Sequence, residues 1–207
     1  MTSKENNIPP LYGLVLAGGR SKRMGKDKDL MEWHGKAQRY YAADMLKDFC
    51  EEVFISCRPE QAKDIDISYL ALPDTFLNMG PYGAILSALR TQRDKAWLIV
   101  ACDLPLLNEK TLAFVKAQRD VHKIATSYQS PYDGLPEPLI AIWEPDSYAT
   151  LLNFLGQGIS CPRKVLINSD IKLLHPPDPE ALMNVNTVED VAKAQEILHK
   201  RDTQLHQ

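Results

Sequence analysis

The sequence predicts an α/β fold: a single-domain, Rossmann-like sheet, mostly parallel, with helices on both faces. Two observations carry this. Short apolar runs alternate with helical spacings along the whole chain, the order that builds a sheet covered on both sides. The segments richest in chemistry, Ala17–Lys28 and Asp103, also come immediately after two of those runs. Open α/β sheets hold ligands there, beyond the carboxyl ends of their strands.

Tyr12–Leu16 is short and apolar and stops at Gly18-Gly19, as a buried strand does. Gln38–Asp48, with Tyr41, Ala42, Met45, Leu46 and the adjoining Phe49, has helical spacing. Val53–Ser56 and Ser68–Leu72 read as the next strands, the second ended by Pro73-Asp74. Gly80-Pro81-Tyr82-Gly83 punctuates the chain before a helix over Ala84–Arg90. Ala96–Cys102 is the clearest buried strand, uncharged between Lys95 and Asp103. Asn108 can cap a helix running to about Arg119. Lys123–Tyr128 and Pro138–Trp143 read as strands, after which Pro145 opens and Gly156 closes a helix. A short helix over Ser160–Ile167, a strand over Ile171–Leu174 and a proline-rich loop over His175–Pro179 follow. Thr187 with Asp190 forms a capping-box pattern that opens a last helix, ending near His199. Residues 1–10 read as a flexible lead, 11–199 as the folded domain and 200–207 as a frayed tail.

At 207 residues, 44% hydrophobic and 25% charged, the composition is that of an ordinary globular protein. A net charge of −3 gives no reason to expect a nucleic-acid partner. No apolar run approaches the roughly 18 residues of a membrane span, so no membrane association is expected. Cys50, Cys57, Cys102 and Cys161 are scattered, with no C-x-x-C pair to suggest a zinc site or dithiol. The polar lead Met1–Pro10 lacks the apolar segment of an export signal, so a cytoplasmic, reducing location is expected. His34, His122, His175, His199 and His206 show no metal-ligand spacing, and Trp33, Trp97 and Trp143 read as core or edge aromatics.

The most informative stretch is Leu14–Lys28. An apolar run ends in two glycines and opens into a loop carrying Arg20, Lys22, Arg23, Lys26 and Lys28. Glycines let a backbone approach a ligand closely. Exposed N–H groups and fixed cations in one loop make a cradle for a polyphosphate. The spacing is not that of a P-loop, because five residues rather than four separate Gly19 from Gly25 and Asp27 follows Lys26. Nor is it a dinucleotide G-x-G-x-x-G. Two glycines alone would suit a tight strand-to-helix turn with solvated basic side chains; the clustered cations favour a small anionic ligand. Asp103, at the end of a rigid strand beside this loop, can hold Mg²⁺, which takes one or two carboxylates with phosphate oxygens and water. It equally suits a helix cap or a turn before Pro105.

Leu16-Ala-Gly-Gly-Arg-Ser-x-Arg-Met-Gly-x-Asp-Lys28 resembles the opening signature of the nucleotidyltransferases that include molybdenum cofactor guanylyltransferase. Asp74, Gly80-Pro81-x-Gly83, Ala101-Cys-Asp-x-Pro105, Pro136-Glu-Pro-Leu139 and Asn184-Val-Asn-Thr-x-Glu-Asp190 continue the likeness, which runs from about Tyr12 to Leu198. It implies Mg²⁺-dependent transfer of GMP from GTP to molybdopterin carrying molybdenum, with molybdoenzymes or cofactor-delivery proteins as onward partners. It further implies that Leu16, Ala17, Gly18, Gly19, Lys28, Asp74, Gly80 and Asp103 bind the nucleotide. Lys28 would stabilise the α-phosphate, Arg20 and Arg23 the β- and γ-phosphates, Asp103 the metal, and Asn184 and Asn186 the acceptor. Ala17-Gly18-Gly19 resembles the guanylyl enzymes, where relatives that use CTP carry Ala-Ala-Gly. Arg163 and Lys164 either meet the acceptor's phosphate, hold the pterin or are solvated helix charges, and Glu137 either orients the acceptor or water or, the favoured reading, is a solvated loop glutamate.

The chain departs from that pattern at three places. Asp29 adds negative charge after Lys28, Ala37-Gln38 stands where relatives have Pro-Leu, and Ser56-Cys57-Arg58 lacks an Asn that relatives place on the base side. Two rivals to guanylyl transfer are a nucleotidyltransferase using CTP or a sugar or polyol phosphate acceptor, and a non-catalytic nucleotide-binding carrier of the cofactor.

Overall fold

The computed structural model describes residues 8–17 and 28–205, the side chains of Lys28, Asp202, Gln204 and Leu205 excepted. Among these, seven strands form one sheet: β1 (Leu11–Leu16), β2 (Val53–Cys57), β3 (Leu70–Pro73), β4 (Ala96–Ala101), β5 (Ala125–Gln129), β6 (Pro136–Trp143) and β7 (Lys172–Leu174). Their spatial order is β3-β2-β1-β4-β6-β5-β7. The sheet is parallel except at β6, which runs against both β4 and β5. The helices are α1 (Gln38–Lys47), α2 (Pro81–Thr91), α3 (Glu109–Ala117), α4 (Ser147–Gly156), α5 (Pro162–Ile167) and α6 (Val188–Leu205).

The α/β expectation therefore holds, and β4 shows why its sequence is continuously apolar. Its alternate side chains enter two different cores. Ala96, Leu98 and Val100 pack with Ala42 and Leu46 of α1 and with Leu112 and Val115 of α3. Trp97 and Ile99 pack on the opposite face with Ile85 and Leu89 of α2, Leu151 of α4 and Val165 of α5. Trp97 and Trp143 are fully buried.

Strand order reverses at β1. From β1 the chain passes through α1 to β2 on one side, and from β3 through α2 to β4 on the other. That makes the carboxyl ends of β1 and β4 a topological switch point, the place where open α/β sheets take ligands. Register aligns Leu16 with Ala101 of β4 and with Ser56 of β2, and Cys57 with Pro73 of β3. Because β6 runs backwards, with Val100 opposite Ile140, its first residues reach the same edge.

Several boundaries differ from the sequence expectations, and three of them have a clear physical cause. Helix α2 begins at Pro81 rather than Ala84, since Gly80 turns the chain with φ +55° and ψ −139° and Pro81 suits the first helical position. Strand β6 begins at Pro136, so Glu137 belongs to the sheet. Helix α6 runs to Leu205, into the stretch expected to fray. Arg201 ties its last turns down by donating Nη1 to the Leu106 carbonyl at 3.1 Å and Nη2 to Asp178 at 3.0 Å.

Gly83 sits in the first turn of α2, and a Cβ there would overlap the carbonyl oxygen of Phe76. Backbone cannot yield as a flexible side chain does. Gly83→Ala is expected to destabilise the fold by about 2 kcal/mol, read as a lower urea midpoint at unchanged slope.

Candidate active site

The carboxyl edge of β3, β2, β1 and β4 brings Leu16, Ala17, Asp74 and Asp103 into one row. Leu16 ends β1, and the N–H of the buried Ala17 donates to the Ser56 carbonyl at 3.1 Å. Gly18, Gly19, Arg20 and Arg23 lie outside the described residues, as does the side chain of Lys28. The backbone of Lys28 opens a short 3-10 turn, Lys28–Leu30. Asp74 follows β3, Gly80 precedes α2, and Asp103 follows β4. Three strand spacings separate the β3 and β4 ends, about 14 Å, which is the reach of an extended nucleoside triphosphate rather than of a small anion.

The Lys28 turn is tied toward the Asp103 segment through Gln38, whose N–H donates to the Met31 carbonyl at 2.9 Å. The Cys102 thiol, beside Asp103 in sequence, is raised well above its ordinary pKa by burial, with the carboxylates of Asp29 and Asp103 adding to the rise. Two tethers fix the segment after Asp103. Gln38 Nε2 donates to the Leu104 carbonyl at 3.4 Å, and the His34 ring lies 2.9 Å from the Pro105 carbonyl. On its other side, the Asp103 carbonyl accepts the Val185 N–H at 2.8 Å. That bond places Asn184-Val185-Asn186 directly against the strand end. Asn184 is half-buried, while Asn186 is exposed and its N–H donates to Asp190 Oδ2 at 2.9 Å. The Thr187 N–H donates to the same oxygen and Thr187 Oγ1 accepts from the Asp190 N–H, completing the capping box read from the sequence.

Asp74 is held by a residue that sequence reasoning missed. The fully buried Ser56 donates its hydroxyl to Asp74 Oδ1 at 2.8 Å. Burial pushes the Asp74 carboxyl up to about 6, against the opposing pull of that hydrogen bond. Between about pH 4 and pH 6 the native protein keeps a proton that the unfolded chain has released, so stability falls as pH rises through that window. Asp74→Asn removes the fall. It is expected to stabilise the fold near pH 7 by about 1 kcal/mol, allowing for solvent screening, and to leave it unchanged below about pH 4. Denaturant melts at the two pH values check this.

A pocket of about 100 Å³ lies against β6, lined by Leu104, Glu137, Pro138, Arg163, Leu182 and Asn184 among others. Glu137, expected in solvent, is instead buried in the sheet and accepts from Arg163 Nη2 at 2.8 Å. Arg163 Nη1 donates to Asp133 at 2.6 Å. The sequence missed this because the β5–β6 pairing that draws Pro136-Glu137 into the sheet is a tertiary event. Lys164 points to solvent. The extra charge of Asp29 is answered as well: its carboxylate is buried and paired with Arg39 Nη1 at 3.1 Å.

Among the described residues no group of three or more His, Cys, Asp or Glu side chains gathers to hold a metal. A lone strand-end carboxylate at Asp103 nevertheless suits magnesium, which takes its remaining ligands from phosphate and water. The four cysteines are free, and no helix among the described residues is long and apolar enough to cross a membrane.

The chain is 37% identical over 182 residues to a molybdenum cofactor biosynthesis bifunctional protein of Synechocystis sp., covering 87% of this chain and 52% of that protein, so it spans about half of that relative's length. It is 27% identical over 197 residues to a molybdenum cofactor guanylyltransferase of Pseudomonas fluorescens, covering 88% of this chain and 97% of the relative. The fold is similar to the crystal structure of molybdopterin-guanine dinucleotide biosynthesis protein A from Archaeoglobus fulgidus, with a TM-score of 0.76 at 24% identity over 91% of this chain and 99% of that one. The model of the MobA-like NTP transferase domain matches residues 13–171, through β1, the switch point and the β6 edge, and the chain belongs to that family.

Proposed function

We propose that this protein is a molybdenum cofactor guanylyltransferase, transferring GMP from GTP to the terminal phosphate of molybdopterin that carries molybdenum and releasing pyrophosphate. The observation that carries the reading is the shared strand edge that ends in Ala17, Asp74 and Asp103, with Asp103 bonded to Val185 between Asn184 and Asn186, in a chain of the NTP transferase family. Relatives named for the same activity span nearly their whole length in this chain.

The acceptor phosphate is already anionic at neutral pH and needs no strong general base. Its oxygen attacks the α-phosphorus of GTP, the bond from that phosphorus to the β-phosphate oxygen breaks, and pyrophosphate leaves. Catalysis is then positioning plus charge neutralisation. Lys28 stabilises the α-phosphate, Arg20 and Arg23 the β- and γ-phosphates, and Leu16, Ala17, Gly18 and Gly19 bring backbone close to the nucleotide. Asp74 accepts from the guanine edge or the ribose, with Gly80 leaving space beside it. Asp103 would hold Mg²⁺, which when bound would neutralise charge on the α-phosphate and the departing pyrophosphate. Asn184 and Asn186 contact the acceptor. Arg163, held by Glu137 and Asp133 at the mouth of the pocket, meets its phosphate. The cytoplasm is the expected location, with molybdoenzymes or cofactor-delivery proteins receiving the product.

Pyrophosphate release measured with GTP, CTP and ATP, with and without molybdopterin, tests this. GTP should support at least about ten times the kcat/KM of CTP, and only with acceptor present. A preference for CTP would overturn the guanylyl assignment. Tight GTP binding without pyrophosphate release would favour a carrier.

A further inference from the structure

Beside the Lys28 turn lies a charged cluster that the chemistry above leaves unused. Asp29 is 4% and Arg39 8% exposed, yet both are ionisable. Arg39 Nη1 donates to Asp29 Oδ2 at 3.1 Å, and its Nη2 donates to the Tyr40 hydroxyl at 2.9 Å and to the Asp64 carbonyl at 3.1 Å. Its guanidinium also lies over the Tyr40 ring, 4.7 Å from the centroid. A buried ion pair is a weak stabiliser, because desolvation offsets attraction and apolar residues of like volume often serve the fold as well. Stability alone is therefore a poor reason for this pair.

What the cluster does is join three segments. Asp29 is the residue after Lys28 in the 3-10 turn. Arg39 and Gln38 form the first turn of α1. The 2%-exposed Gln38 reaches the Leu104 carbonyl through its side chain and the Met31 carbonyl through its N–H, the latter at 2.9 Å. Leu104 follows Asp103 directly. A turn of three residues has little rigidity of its own. Here it is pinned to a helix that is itself pinned to the exit of β4.

We propose that Arg39 is a positioning residue for nucleotidyl transfer: by holding Asp29, it fixes the backbone of Lys28 at a set place relative to Asp103. The inference rests on the reading of Lys28 and Asp103 as nucleotide-contacting residues. Its leverage is geometric, since a displacement of about 1 Å at a reacting centre can cost on the order of 100-fold in rate.

The test compares wild type, Arg39→Met, Lys28→Ala, the double variant Lys28→Ala/Arg39→Met, and Asp29→Leu/Arg39→Met, all assayed well below their melting temperatures. Arg39→Met is expected to lower kcat for GMP transfer about 10- to 100-fold. In the Lys28→Ala background the same change should cost less than about threefold, because residues that act through one another are not additive. Asp29→Leu/Arg39→Met, with the charges replaced by apolar groups, should melt near wild type and still be slow. Equal losses from Arg39→Met in both backgrounds, a kcat within threefold of wild type, or recovery of rate together with melting temperature in the apolar pair would each overturn the proposal. GTP affinity by calorimetry in the same variants judges the pair separately from the reaction. If wild type binds Mg²⁺–GTP but transfers nothing, the transferase reading fails. A tenfold weaker affinity in Arg39→Met that is absent in the Lys28→Ala background would then still support positioning, and unchanged affinity would reject it.

Discussion

Lys28→Ala is expected to slow GMP transfer by about 10²–10³ in kcat, with little change in the urea midpoint. The size follows from when the contact is made. An ammonium that meets the α-phosphate gains most as charge builds on that phosphate, so its loss falls on kcat more than on KM. Its position supports this: the turn it opens is anchored through Asp29 to Arg39, whose neighbour Gln38 holds the Leu104 carbonyl beside Asp103. Steady-state rates with GTP and acceptor check it, and near-normal turnover would remove Lys28 from the catalytic assignment.

Asp103→Asn should cost about 10³ in turnover and make GTP affinity indifferent to Mg²⁺. The amide keeps the shape of the carboxylate and loses its charge, so the backbone bond from the Val185 N–H to the Asp103 carbonyl should survive, and with it the fold around Asn184. A titration of GTP with and without Mg²⁺ separates the two consequences. An unchanged Mg²⁺ dependence in the variant would show that the metal sits elsewhere.

Much of this was legible in the chain. The fully apolar run of β4 announced a strand buried on both faces, and Thr187 with Asp190 announced the start of α6. Both signals are local, carried by composition and short spacing. That the chemistry would lie beyond strand carboxyl ends also followed, because glycines and an aspartate come directly after apolar runs; the strand order that makes a switch point there did not. What stayed hidden depends on contacts far apart in sequence. Nothing near Ser56 says that it will face Asp74, since that pairing exists only once β2 and β3 align. Glu137 looked solvated because the strand that buries it is recruited by pairing with β5. Asp29 and Gln38 read as separate departures from the family pattern, and only the fold unites them around Arg39 and the Leu104 carbonyl.

Guanylyl transfer is decided most directly by following the phosphorus. GTP labelled at the α-phosphate, incubated with Mg²⁺, molybdenum-bearing molybdopterin and this protein, should pass its label to the acceptor, while γ-labelled GTP releases its label as pyrophosphate. Label from the γ-phosphate on the acceptor, or α-label recovered only as unreacted GTP, would contradict the mechanism.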